Sequence, residues 1–207
     1  MTREEVKGLL DKLNLSRDMG TNRVRERLKN LGYDRPAVRV CHGVTKICLI
    51  FADTDFIVKW SYGCDCEEDE SARECDIYAS AVEANLACFF PKTEVLGKWG
   101  EITVVIQDRI DYCVEDCCYD KRQHYQQIGR TVTDNIYDKM ACGFRTGHWD
   151  RYLDETWAKM AISLYGKQVI KCLCDFIQKY KINDLHEKNI GYKNDKPIIL
   201  DFSGYYR

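Results

Sequence analysis

Between residues 37 and 107 short apolar runs bounded by turns give way to a helical stretch and then return, and this order constrains the fold more than any other feature. Ala37–Cys41 and Lys46–Phe51 read as strands joined by a turn at His42-Gly43. Ala52–Asp55 is a second turn, and Phe56–Trp60 is a third strand. Residues 64–71 are acidic and rich in small side chains, which predicts a solvated loop. A helix follows from about Glu68 to Leu86, with Ile77, Ala81, Ala84 and Leu86 as its buried positions, closed by Phe89-Phe90-Pro91. Thr93–Leu96 and Glu101–Gln107 are two more strands across a turn at Gly97–Gly100. Three strands, one helix and two strands predict an α+β domain built on a five-stranded antiparallel sheet.

Lys59 sits inside the third of these strands, between Val58 and Trp60. A buried ammonium needs an anion, because an unpaired one is costly. The following helix offers Glu74, with Glu70 as the second choice. Ser71-x-x-Glu74 also reads as a capping box, in which Glu74 would serve its own helix's N-terminus instead. A lysine pointing outward from an edge strand is the plainer reading.

The segments on either side are helical. Thr2 with Glu5 forms a capping box, and Val6, Leu9, Leu10 and Leu13 repeat at helical spacing. Met19-Gly20 interrupts the run, Thr21 restarts it, and Val24, Leu28 and Leu31 make a second stripe closed by Gly32. Two amphipathic helices must bury their stripes, and packing against the part of the chain that follows, residues 37–111, is preferred to a partner-binding arm. Arg35-Pro36 marks a boundary. Later, Cys118 to Met140 carries a stripe of Ile128, Val132, Ile136 and Met140. Gly143–Asp150 is a loop whose His148 reads as a surface residue. A long helix then runs from Asp154 or Thr156 to Tyr180. Its buried positions are Trp157, Met160, Ala161, Leu164, Val169, Ile170, Leu173, Cys174 and Ile177. If continuous it spans on the order of 40 Å.

A chain of 207 residues makes one large domain or two small lobes. Its net charge of −2 argues against a nucleic-acid or anionic-membrane partner. No apolar run reaches the length of a membrane span, and Thr2-Arg3-Glu4-Glu5 is unlike a signal peptide, so a cytoplasmic protein is expected. The twelve cysteines are then expected as reduced thiols packed like small apolar groups. They form no paired CxxC spacing, although Cys64, Cys66 and Cys75 beside an acidic run remain a zinc candidate.

The last stretch carries the chemistry. Asp184, Asn189 and Asp201 are threaded on a loop, a strand from Ile190 to Tyr192, a polar turn from Lys193 to Lys196, and a strand from Pro197 to Leu200. A hairpin brings its ends together, so Asn189 and Asp201 should lie side by side. Their oxygens suit Mg²⁺, a hard cation, and Asp184 is left to accept a proton.

Asp184-Leu185-His186-x-x-Asn189, followed by a strand and Leu200-Asp201-Phe202, resembles the catalytic segment of the protein-kinase-like superfamily. It is closer to the aminoglycoside and choline phosphotransferase types, and to minimal bacterial or phage kinase-like proteins, than to ordinary protein kinases. The resemblance implies a two-lobed fold: an N-terminal helical extension over residues 1–36, an N-lobe over 37–111 and a minimal helical C-lobe over 112–207. It implies an ATP-dependent phosphotransferase with Asp184 as catalytic base and Asn189 and Asp201 as Mg²⁺ ligands. Lys59 would bind phosphates and pair with Glu74, and His42 and Gly43 would lie near them. Asp108 and Ile110 would flank the adenine at a hinge. The acceptor, a small molecule or a protein, is not named by these residues.

Several departures bear on that reading. Gly43 stands alone where several glycines usually let backbone amides close over phosphates. Ile182 and His186 replace residues typical of protein kinases, and only three residues follow Ser203-Gly204, so no activation segment is expected. A pseudokinase, binding nucleotide or acting by contact alone, is the alternative, and a zinc- or thiol-based sensor is the third reading.

Overall fold

The computed structural model describes residues 1–33, 37–42, 45–62, 69–110, 112–113, 155–182, 185 and 189–203. The fold is mixed α+β, and the chain divides into two compact units. The first comprises Met1–Asp76 and Lys92–Arg109, and the second Ile77–Pro91 and Ile110–Arg207. The expected helix over 118–140 and His148 lie outside the described residues.

In the first unit, β1 (Val38–His42), β2 (Lys46–Phe51), β3 (Phe56–Ser61), β4 (Thr93–Trp99) and β5 (Ile102–Asp108) form one antiparallel sheet in the order β1-β2-β3-β5-β4. Side chains alternate across a pleated strand, so the sheet has two different faces. Val38, Val40, Ile47, Leu49, Phe51, Val58 and Trp60 line one of them, with Val104 and Ile106 from β5. The helices α1 (Arg3–Leu13) and α2 (Thr21–Asn30) share that core through Val6, Leu9, Leu10, Leu13, Val24 and Leu28. Their stripes are therefore part of the first unit's core. Leu31, expected on the second stripe, is 37 % exposed, because α2 ends at Asn30 and Leu31 is its cap. Met19, in the break between the helices, is fully buried instead.

The helix ends are satisfied by named groups. At the start of α1 the Thr2 N–H donates to Glu5 Oε2 at 2.6 Å and the Glu5 N–H donates to Thr2 Oγ1 at 3.2 Å. At its end Asn14 adopts φ 48°. The Arg27 guanidinium donates to the carbonyls of Leu13 and Asn14, two acceptors that a helix C-terminus leaves without an intrahelical partner. On β4, a Cβ at Gly97 would lie 2.9 Å from the Trp99 ring, so any other residue there would force that indole to shift. The Trp99 Nε1–H then reaches Asp11 of α1 at 2.8 Å.

The helix α3 (Glu70–Glu83) starts two residues later than expected and ends sooner. Ala84, read as buried, lies beyond its end and is exposed. A short 3₁₀ turn, Ala87–Phe89, follows. In the second unit α4 (Glu155–Lys179) is broken, not continuous. Gly166 holds φ 79° and ψ 160°, far from helical values. Before the break the buried stripe runs through Trp157, Ala161 and Tyr165 at i, i+4 spacing. Tyr165 packs on Phe89 with ring centroids 4.6 Å apart. Leu164 is off this line and is 48 % exposed.

A small sheet of β6 (Tyr112–Cys113), β7 (Ile190–Lys193) and β8 (Lys196–Ile199) completes the second unit. Its tight turn uses Asn194 and Asp195 at φ 49° and 59°. Two successive left-handed residues are what a two-residue hairpin requires, and Asn and Asp tolerate that region best after glycine. The Trp157 Nε1–H lies between the carbonyls of Gly191 and Ile198, at 3.2 and 3.3 Å, which are partners in the β7–β8 register. Among the described residues no helix is long and apolar enough to cross a membrane.

Candidate functional site

Lys59 lies on the sheet face opposite α1 and α2, because its neighbours Val58 and Trp60 point into the helix-covered core. It is 7 % exposed. Its Nζ donates to Glu74 Oε1 at 3.1 Å and to Oε2 at 3.0 Å. Glu74 is completely buried on the second turn of α3. The expected pair is thus present, and the lysine does not face outward from an edge.

Helix α3 is aimed by a different residue from the one the capping box suggested. Asp69 precedes Glu70, and its Oδ1 accepts from the N–H groups of Ser71 and Ala72 at 3.1 and 3.2 Å. Its Oδ2 accepts from the Thr103 N–H of β5 at 3.0 Å, which ties the helix start to the sheet. With Asp69 as the cap, Glu74 is released from that duty and turns to the sheet.

Three further polar groups meet Glu74 or its neighbours. Lys46, on the first position of β2, donates to Glu74 Oε1 at 2.9 Å and lies 3.4 Å from Glu70 Oε2. Glu70 also accepts from Thr45 Oγ1 at 2.7 Å. Gln107 of β5 sits 3.5 Å from both Lys59 and Glu74 and donates from Nε2 to Thr93 Oγ1 at 2.9 Å. Glu70, the second choice for Lys59, is found instead beside Lys46. The register explains the convergence. Cys48 is paired with Lys59 and Lys46 with Ser61, so the two lysines are diagonal neighbours on one face. Ile57 is paired with Gln107, which puts the amide on the other diagonal of Lys59.

Lys46 and Gln107 read in the sequence only as members of apolar strands, with no role of their own. The signal was arithmetic. A four-residue turn between β2 and β3 implies this register, and the register implies that Lys46 shares the face of Lys59.

The other expected residues are distributed as follows. His42 ends β1 opposite Ile47, so the pleat sets it on the face away from Lys59, where it is exposed. Asp108 ends β5, with its N–H bonded to the Lys92 carbonyl at 2.9 Å, and Ile110 lies two residues beyond. Gly43 and Asp184 lie outside the described residues.

In the second unit the β7–β8 hairpin brings its ends together. Ile190 pairs with Ile199, and one step beyond, the Leu200 N–H donates to the Asn189 carbonyl at 2.7 Å. Asn189, 9 % exposed, and Asp201 therefore flank the open end of the hairpin, away from its turn. Asp201 adopts φ 47°, a left-handed conformation that costs a non-glycine residue free energy and recurs at functional positions. The next residue, Phe202, is fully buried, with its ring 5.0 Å from Phe90. That anchor holds the backbone of Asp201 in place. An amide oxygen and a carboxylate oxygen at one hairpin end match the donor chemistry of Mg²⁺.

Burial pushes the Cys75 thiol up to about 12, with Glu74 and Asp76 adding to the effect. Cys64 and Cys66 lie outside the described residues. Among the described residues no group of three or more His, Cys, Asp or Glu side chains is arranged to hold a metal ion. Compared with known proteins, the chain matches no family model, no curated sequence and no solved structure.

Proposed function

We propose that this chain is an ATP-dependent phosphotransferase with a protein-kinase-like fold, passing the γ-phosphoryl group of Mg-ATP to a hydroxyl of a small molecule or protein. The observation that carries the reading is the buried Lys59–Glu74 pair between β3 and α3. A strand lysine held by a helix carboxylate, within β-β-β-α-β-β order, is the arrangement that the resemblance implies.

Each residue has a defined task. Glu74 fixes the Lys59 ammonium so that it meets phosphate oxygens without searching rotamers. Asn189 and Asp201 supply the oxygens for Mg²⁺, which when bound neutralises phosphate charge. Asp184 takes the proton of the acceptor hydroxyl as its oxygen bonds to the γ-phosphorus and the bond to the ADP oxygen breaks. Such transfer is mainly positioning and charge stabilisation, and general-base help contributes about 10²–10⁴-fold.

The test is a thermal-shift titration with ATP, with and without Mg²⁺, followed by transfer of labelled γ-phosphate. The wild-type chain should be stabilised by Mg-ATP, and Asp201→Ala should lose the Mg²⁺-dependent part. Asp184→Asn should keep the shift and lose turnover. A wild-type chain that Mg-ATP does not stabilise refutes the reading. Stabilisation without transfer to water, to the protein or to any hydroxyl acceptor would instead mark a nucleotide-binding pseudokinase.

A further inference from the structure

One carboxylate, Glu74 of α3, serves two buried lysines of the sheet. Lys46 and Lys59 both lie within 3.1 Å of Glu74 Oε1, so twice that distance bounds the separation of their ammonium groups. The side chains of Lys46 and Lys59 are 6 % and 9 % exposed, that of Glu74 is wholly buried, and that of Glu70 is 11 % exposed. Orienting Lys59 needs Glu74 alone. The second pair, Lys46 with Glu70, takes two more charges out of water, and a buried ion pair seldom returns its desolvation cost compared with apolar side chains of similar size. A buried charge cluster retained at that cost is a candidate for function.

Position along the chain says which function. Lys46 is the third residue after Gly43, the lone glycine in the turn where a phosphate cradle of backbone amides would need several. A lysine supplies three N–H donors and a full charge, which backbone amides do not. Two ammonium groups held a few ångströms apart by a shared counter-ion fit the spacing of linked phosphates.

We propose that Lys46 is a second phosphate-binding lysine, acting with Lys59 on the phosphate chain of the nucleotide, with Glu70 holding it between binding events. This inference rests on the phosphotransferase reading above. The two lysines take different phosphates of one chain, and together they do the work of the missing glycines.

The test is calorimetric titration of the full chain with Mg-ATP and, separately, with adenosine. Lys46→Met with Glu70→Gln removes one charge of each sign and leaves the cluster balanced, and Lys46→Arg keeps a cation at the same position. Circular dichroism checks that each variant is folded. The balanced double variant should bind Mg-ATP roughly tenfold or more weakly, as expected for one charge-assisted contact, with adenosine affinity unchanged. Lys46→Arg should retain most of the Mg-ATP affinity. Mg-ATP affinity that is unchanged in the double variant, or that falls in parallel with adenosine affinity, overturns the proposal and leaves the phosphotransferase reading standing. If the double variant does not fold, Lys46→Gln is read by the same criteria. A wild-type chain that binds no Mg-ATP overturns both.

Discussion

Replacing Glu74 by Gln keeps the shape of the side chain and removes its charge. The buried cluster then goes from two positive and two negative groups to two positive and one negative. Lys46 keeps Glu70 at 3.4 Å, whereas Lys59 is left beside amide oxygens, that of the new Gln and that of Gln107 at 3.5 Å. Removing one partner of a buried ion pair costs about 3–5 kcal/mol. For a chain of this length that corresponds to a fall in Tm of roughly 10 °C. The measurement is urea unfolding followed by circular dichroism, on Glu74→Gln, Lys59→Met and the double variant. The double variant retains Lys46 with Glu70 and is again balanced. It should therefore lose less than the two single variants together, by about 2 kcal/mol or more. If the two effects add to within about 0.5 kcal/mol, or if Glu74→Gln costs under about 1 kcal/mol, the four groups do not act as one cluster and the argument from buried charge fails.

Two other outcomes follow from the second unit and from the thiols. Gly166→Ala meets no steric obstacle, since nothing lies within 4 Å of the added Cβ, but φ 79° with ψ 160° is a backbone region that essentially only glycine enters. It should destabilise by about 1–3 kcal/mol in a thermal melt, where an unbroken helix would instead gain about 1 kcal/mol from the same change. Burial raises Cys75 from 9.0 and Tyr165 from 10.0 to about 12, and Cys174 from 9.0 to about 11. The folded chain keeps protons that the unfolded chain releases, so stability is full below about pH 9 and falls as pH rises from there toward 12. Urea midpoints between about pH 8 and pH 10.5 should decline, and the decline should be shallower in Tyr165→Phe. A flat or rising midpoint contradicts the burial of these groups.

What was legible from the residues alone was whatever depends on near neighbours in the chain. The order of strands and helices followed from short apolar runs bounded by turns and from helical spacing between them, which are local properties of the chain. The Thr2–Glu5 box, the Asn194-Asp195 turn and the closing of the last hairpin on Asn189 and Asp201 are likewise set within a few residues. That Lys59 needs a carboxylate was legible for a chemical reason, because a lysine between two core residues requires one; that Glu74 supplies it, among the several acidic residues of the next helix, was what the resemblance implied. Tertiary structure decided the rest. Lys46 joined the cluster through strand register, a relation between residues fifteen to twenty-eight positions from Glu74. Asp69 took the capping role because β5 supplied the Thr103 N–H as well, and no local spacing records that bond. Leu31, Ala84 and Leu164 satisfy helical periodicity yet are exposed, since periodicity says which residues share a face but not how far the covering surface or the helix itself extends.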